Sequence, residues 1–126
     1  KVVRIGRPVK VDEAIAAQWP KVKLAFGPKD GKLEEIVLAV GEKKKLPNTP
    51  FEVEVQYFLP NFKMSDSGIV TDGAEPTNPA ARVLIREAGK PDWSGWLFAK
   101  MPDVHAFEHD AYKVILIAGL PKEGGK

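Results

Sequence analysis

The chain has 126 residues, 44% hydrophobic and 29% charged, with a formal net charge of +2. One domain of that length buries enough surface for a core without staples, so the composition excludes global disorder. So small a charge on scattered lysines gives no basis for nucleic-acid binding, and the absence of cysteine excludes disulfides, thiolate zinc, iron–sulfur ligation and covalent c-type haem.

The sequence begins with Lys1. This predicts an excised domain or a mature form, with any signal peptide or membrane anchor lying upstream of it. Residues 1–11 read as a short extended entry interrupted by Gly6 and Pro8. Residues 12–19 (DEAIAAQW) predict the one helix, or a single helical turn, with Asp12 as cap and Pro20 as stop. From Val22 the period changes to two. Val22, Leu24 and Phe26 alternate with Lys23 and Ala25, an Asp30-Gly31 turn follows, and residues 33–40 form the return strand. Residues 41–50 (GEKKKLPNTP) read as a polar connection, with Lys43, Lys44 and Lys45 in a solvated turn or, alternatively, a membrane-surface or partner contact.

Residues 51–59 are the clearest strand. Phe51, Val53, Val55 and Tyr57 point one way; Glu52, Glu54 and Gln56 point the other. Residues 60–79 read as a long polar loop, with Ile69 and Val70 as a short edge strand inside it. Residues 82–86 resume the alternation, residues 88–91 turn the chain, and residues 93–99 form the next strand, where Gly95 allows a bulge or a close approach. Residues 101–110 are an irregular or one-turn helical link, and residues 112–118 the last strand before a Gly-rich tail. About six strands with little helix predict an all-β fold. The expected architecture is an antiparallel β-sandwich or small barrel with at most one short helix near the N-terminus. It forms a single domain, with residues 1–20 as an extension, 21–118 as the core and 119–126 as the tail. No apolar run approaches the ~20 residues of a membrane span, and no Asn stands in a glycosylation acceptor pattern.

Rare residues concentrate in 78–118. His105 and His109 are spaced i, i+4, so on a helix they would share a face with Met101 one turn earlier, a set suited to copper. The competing reading is a link whose histidines cap backbone at the sheet end. Trp96 and Phe98 fall on one face of a strand and are assigned to the core; Trp93 falls on the other and is the better contact residue. Asp103, Glu108 and Asp110 cluster beside a turn, as solvated carboxylates do. Ser65, Ser67 and Ser94 lack the elbow of a serine nucleophile, and the tail GLPKEGGK lacks the spacing of a phosphate loop.

Several segments together carry a family resemblance: residues 49–55 (TPFEVEV), 58–62 (FLPNF), 78–81 (NPAA), 95–98 (GWLF) and 101–105 (MPDVH). In this order they resemble the soluble extracytoplasmic domain of ResB-type cytochrome c biogenesis proteins. Residues 95–112 are also similar to an uncharacterised exported bacterial family, domain of unknown function 2155, whose signature has proline where Asp110 stands and aspartate where Lys113 stands. The resemblance covers roughly residues 40–118. It implies a bacterial exported β domain, periplasmic or envelope-attached, that acts with an envelope protein partner in assembly, with c-type cytochrome maturation as the process. A membrane anchor outside the chain would then hold it near the membrane. No catalytic set accompanies these motifs, so the leading expectation is a non-enzymatic interaction domain without a cofactor. Its candidate binding residues are Asn78, Trp93, Met101, Asp103, His105 and His109. The alternatives are a haem- or copper-binding domain that uses His105 and His109, and an exported protein of uncharacterised function.

Overall fold

The computed structural model describes residues 9–66, 68–104 and 106–122. The fold is an all-β sandwich with one short helix near the N-terminus. Strand β1 (Val9–Lys10) leads into α1 (Glu13–Gln18). Asp12 caps this helix, its Oδ1 accepting the Ala14 N–H at 2.8 Å, and Pro20 ends it. Two sheets then face each other. One has the order β10-β2-β3, built from β2 (Lys21–Pro28), β3 (Glu34–Ala39) and β10 (Tyr112–Leu120). The other has the order β4-β5-β8-β9, built from β4 (Lys43–Lys45), β5 (Phe51–Leu59), β8 (Ala80–Glu87) and β9 (Trp93–Phe98). All pairings within both are antiparallel.

The period-2 pattern explains the core. Val22, Leu24 and Phe26 of β2 meet Phe51, Val53 and Val55 of β5 and Val83 and Ile85 of β8, all essentially buried in one cluster. Each such side chain contributes roughly 1.5–3 kcal/mol by leaving water. The edges of both sheets stay open, so the architecture is a sandwich rather than a closed barrel.

Four local expectations are corrected. Lys43, Lys44 and Lys45 form the edge strand β4 instead of a turn, paired with Glu54, Val53 and Glu52. Lysine suits such an edge because its charge discourages pairing with further strands. Tyr57 does not continue the inward row of β5. A register shift between Val55 and Tyr57 leaves it 38% exposed and turns Phe58 inward. Residues 60–79 are not one loop: β6 (Phe62–Ser65) and β7 (Gly68–Thr71) form a hairpin, and β1 adds parallel to β7, making a third sheet with the order β1-β7-β6. Its apolar face, with Phe62 and Ile69, covers Trp96 and Phe98 on the outer side of β9. Finally, β10 runs on through Gly119 to Leu120, beyond the expected start of the tail.

Candidate functional site

β9 and β10 are edge strands of opposite sheets, so the connection between them must cross the flank of the sandwich. It starts with Ala99 N–H donating to Pro79 O at 3.0 Å, then turns at 101–104, where the Val104 N–H donates to Met101 O at 3.0 Å. No helix forms in residues 106–111. The chain returns along the flank through Phe107 and His109, and Ala111 O accepts the Lys29 N–H at 2.9 Å.

Phe51 anchors this crossing. Its ring is 1% exposed and stands edge-on to three others: Phe107 at 5.4 Å, His109 at 5.0 Å and Tyr112 at 5.3 Å. Phe107 in turn meets Trp93 edge-on at 5.3 Å. Edge-to-face pairs of this kind add about 0.5–1.5 kcal/mol beyond area burial. Trp93 folds back over Gly95, where a Cβ would stand 2.9 Å from its indole carbons. Of the two roles expected for Gly95, this is the close approach.

The hydrogen bonds of His109 fix its tautomer. Nδ1 accepts the Ala111 N–H at 3.0 Å, so the ring proton sits on Nε2 and is donated to Glu87 Oε1 at 3.2 Å. Both side chains are about four-fifths buried, at 18% and 19% exposure. Glu87 reaches His109 because it continues the inward row of Val83 and Ile85 and lies opposite Phe51 in the register. Glu87→Ala strands the Nε2–H in this half-dry place and is expected to cost about 1–3 kcal/mol. Glu87→Gln keeps an acceptor there and is expected to cost less than half as much. Urea unfolding of the two variants checks the difference; equal losses would contradict the hydrogen bond.

Three recesses adjoin the connection. One of about 420 Å3 lies between Phe62, Met64 and Ile69 of the small sheet and Trp93 and Trp96 of β9, with Ala106 at its rim. A second, about 760 Å3, runs between Asp103, Phe107 and His109 of the connection and Tyr112, Val114 and Ile115 of β10. A third, about 370 Å3, opens on the other side of Phe107, between Trp93, Glu87 and His109.

No family model, curated protein or solved structure matches the chain. These comparisons do not link it to ResB-type proteins or to domain of unknown function 2155.

The expected site residues separate into groups. Trp93 and His109 share the third recess, and Asp103 and His109 the second. Met101 is 42% exposed at the start of the turn. Asn78 lines none of these recesses; ahead of β8, its backbone N–H donates to Pro60 O at 3.1 Å and its carbonyl accepts the Phe62 N–H at 3.0 Å. His105 lies outside the described residues. To ligate a metal, His109 would have to release the Ala111 N–H at Nδ1, or both hydrogen bonds if it bound through Nε2, and among the described residues no three His, Cys, Asp or Glu side chains converge as a metal site. Trp96 and Phe98 are buried, at 8% and 5% exposure. The Trp96 indole N–H has no partner among the described residues, and the Arg82 guanidinium lies 6.0 Å from the ring.

Phe51, Glu87 and Phe107 complete the site, though none was among the candidate binding residues read from the sequence. Glu87 did carry a signal: a carboxylate two residues beyond Val83 and Ile85 in an inward row is out of place unless a donor awaits it.

Proposed function

We propose that this protein is a non-enzymatic extracytoplasmic β domain that binds an envelope protein through the flank built by residues 93–111, in an assembly role. The observation that carries the reading is the concentration of recesses and half-exposed aromatic side chains on that flank. Trp93 and Phe107 each keep part of their surface open, and Trp93 borders two recesses. Aromatic residues held rigid at low entropy cost are what protein contact surfaces favour. His109 is engaged at both nitrogens, which suits a positioning role better than acid–base work. C-type cytochrome maturation is the process that the sequence resemblance favours. Among the described residues no helix is long and apolar enough to cross a membrane.

Site-specific photo-crosslinkers at Ser94 and Asp103, both exposed on the flank, test the reading in the native host. A third at Glu35, on the far edge strand β3, is the control. Adducts to one envelope protein from positions 94 and 103, and none from 35, are expected. No adduct from the flank, or equal labelling from position 35, would overturn the contact surface. Deletion of the gene tests the process separately: intact covalent haem staining of c-type cytochromes would remove the maturation role and leave the contact surface standing.

A further inference from the structure

We propose that the third recess, between Trp93 and Phe107, receives an arginine side chain of the bound partner. The inference rests on the interaction reading above and names the chemistry of the contact.

The recess has an aromatic interior and an acidic rim. Phe51 forms its buried floor, and the half-buried rings of Trp93, Phe107 and His109 stand around it. Four carboxylates line it, from Glu87, Asp92, Glu108 and Asp110, against the single ammonium of Lys90. The chain as a whole carries 19 basic and 17 acidic side chains, so this excess of negative charge is local.

The existing pairs leave that excess largely in place. Asp92 is held by Arg86 Nε at 3.5 Å. Glu87 receives a hydrogen bond from a neutral imidazole, which brings no counter-charge. Its other oxygen meets Lys90 Nζ only at 3.9 Å, and the Lys90 side chain is 61% exposed, so this pair is weak and readily displaced. Glu108 and Asp110 are exposed and have no ion-pair partner among the described residues. A cation that enters therefore meets the uncompensated carboxylates of Glu108 and Asp110 together with the aromatic rings that line the recess.

Among protein side chains the guanidinium fits this combination best. It is planar, weakly hydrated, stacks on aromatic faces and bonds carboxylates through a fixed fork of donors. A lysine ammonium is more strongly hydrated and loses more on entering an aromatic recess. Lys90 sits at the mouth as a resident competitor, so removing it should help the ligand.

The test uses the purified protein and three capped tripeptides: acetyl-Gly-Arg-Gly-amide, its citrulline analogue of equal shape but no charge, and its lysine analogue. The readout is the Trp93 indole N–H resonance, assigned with a Trp93→Phe variant. The arginine peptide is expected to shift it saturably and to bind at least about fivefold more tightly than the citrulline peptide, the scale of one cation–ring contact. Lys90→Ala should tighten arginine binding about two- to fivefold, and Glu87→Gln should weaken it by a similar factor, since each changes one nearby charge. Equal binding of arginine and citrulline peptides would overturn the proposal, as would tighter binding of the lysine peptide or no gain from Lys90→Ala. If such a result accompanies photo-adducts from positions 94 and 103, the occupant is wrong and the contact surface stands. If the adducts are also missing, the interaction reading falls with it.

Discussion

Phe51→Ala is expected to remove about 3–5 kcal/mol of unfolding free energy, the range for emptying an aromatic site in a packed core. For a domain whose whole stability is about 5–15 kcal/mol, that is a large fraction. The high value follows from what the ring touches. It is 1% exposed, belongs to the main core and is edge-on to Phe107, His109 and Tyr112. The three neighbours sit in the crossing and at the start of β10, so the cavity opens beneath the flank where the second and third recesses share Phe107 and His109. Collapse into it would pull the crossing inward and destroy the recess between Trp93 and Phe107. Two measurements check this. Urea unfolding gives the energy, with Tyr57→Ala as a control; Tyr57 lies on the same strand but is 38% exposed, and its loss should cost under about 1.5 kcal/mol. Indole resonances of the folded variant report the flank: Trp93 should move, while Trp19, at the other end of the core, should not. A loss below about 1.5 kcal/mol for Phe51→Ala would mean that the crossing is not anchored as described.

Gly119→Ala decides between two opposing effects. At a position whose backbone any residue can adopt, Gly→Ala usually stabilises by about 0.4–1 kcal/mol, because the unfolded chain loses freedom. Gly119 is such a position by backbone geometry, in an extended strand paired with Val22. A Cβ there, however, would run into the ring of Phe58. That ring is 4% exposed and has Trp19 on another side, 5.7 Å between centroids, so it has little room to swing aside. Overpacking of this kind costs about 1–3 kcal/mol and outweighs the entropic gain. The expected result is a net loss of roughly 0–2.5 kcal/mol, the difference of those two ranges. A second substitution identifies the cause: Phe58→Leu should turn Gly119→Ala from harmful to neutral or favourable. If Gly119→Ala alone stabilises the protein, the contact between β10 and Phe58 is looser than the structure places it.

Much of the fold was legible because strand signals are local. β2, β5, β8 and β9 each repeat apolar residues at every second position, and that period alone puts Val22, Leu24, Val53, Val83 and Ile85 inside. Asp12, by its side-chain oxygen, and Pro20, by its ring, bracket the helix with chemistry local to each. Tyr57 was misplaced because a bulge moves the phase by one residue, and the alternation of the bulged strand gives no warning of it. Of the β6–β7 hairpin only Ile69 and Val70 were read as strand, and as an edge; β7 is instead the middle strand of its sheet, and the burial of Phe62 and Ile69 comes from Trp96 and Phe98, which lie some thirty residues away in the chain. Lys43, Lys44 and Lys45 are strand by virtue of pairing with β5, against their own propensity.

The site divides in the same way. That Trp93 lies on the face opposite Trp96 and Phe98 follows from counting along one strand, but which face is inner does not: Trp93 packs against the main core, and Trp96 and Phe98 are buried on the outer side because the small sheet covers them. The roles of Phe51, Glu87 and His109 do not follow from such counting either. They depend on β9 and β10 being edges of opposite sheets, which brings the crossing against the end of β5 and β8. The sequence by itself determined the all-β class, the inward rows of the main strands and the absence of thiol chemistry, because each depends on neighbours one or two residues apart or on composition. Only the tertiary structure decided that His109 points both nitrogens at its own chain, that Gly119 must stay small, and that four carboxylates surround an aromatic recess. Those outcomes depend on which distant segments share the space, and no local period encodes that.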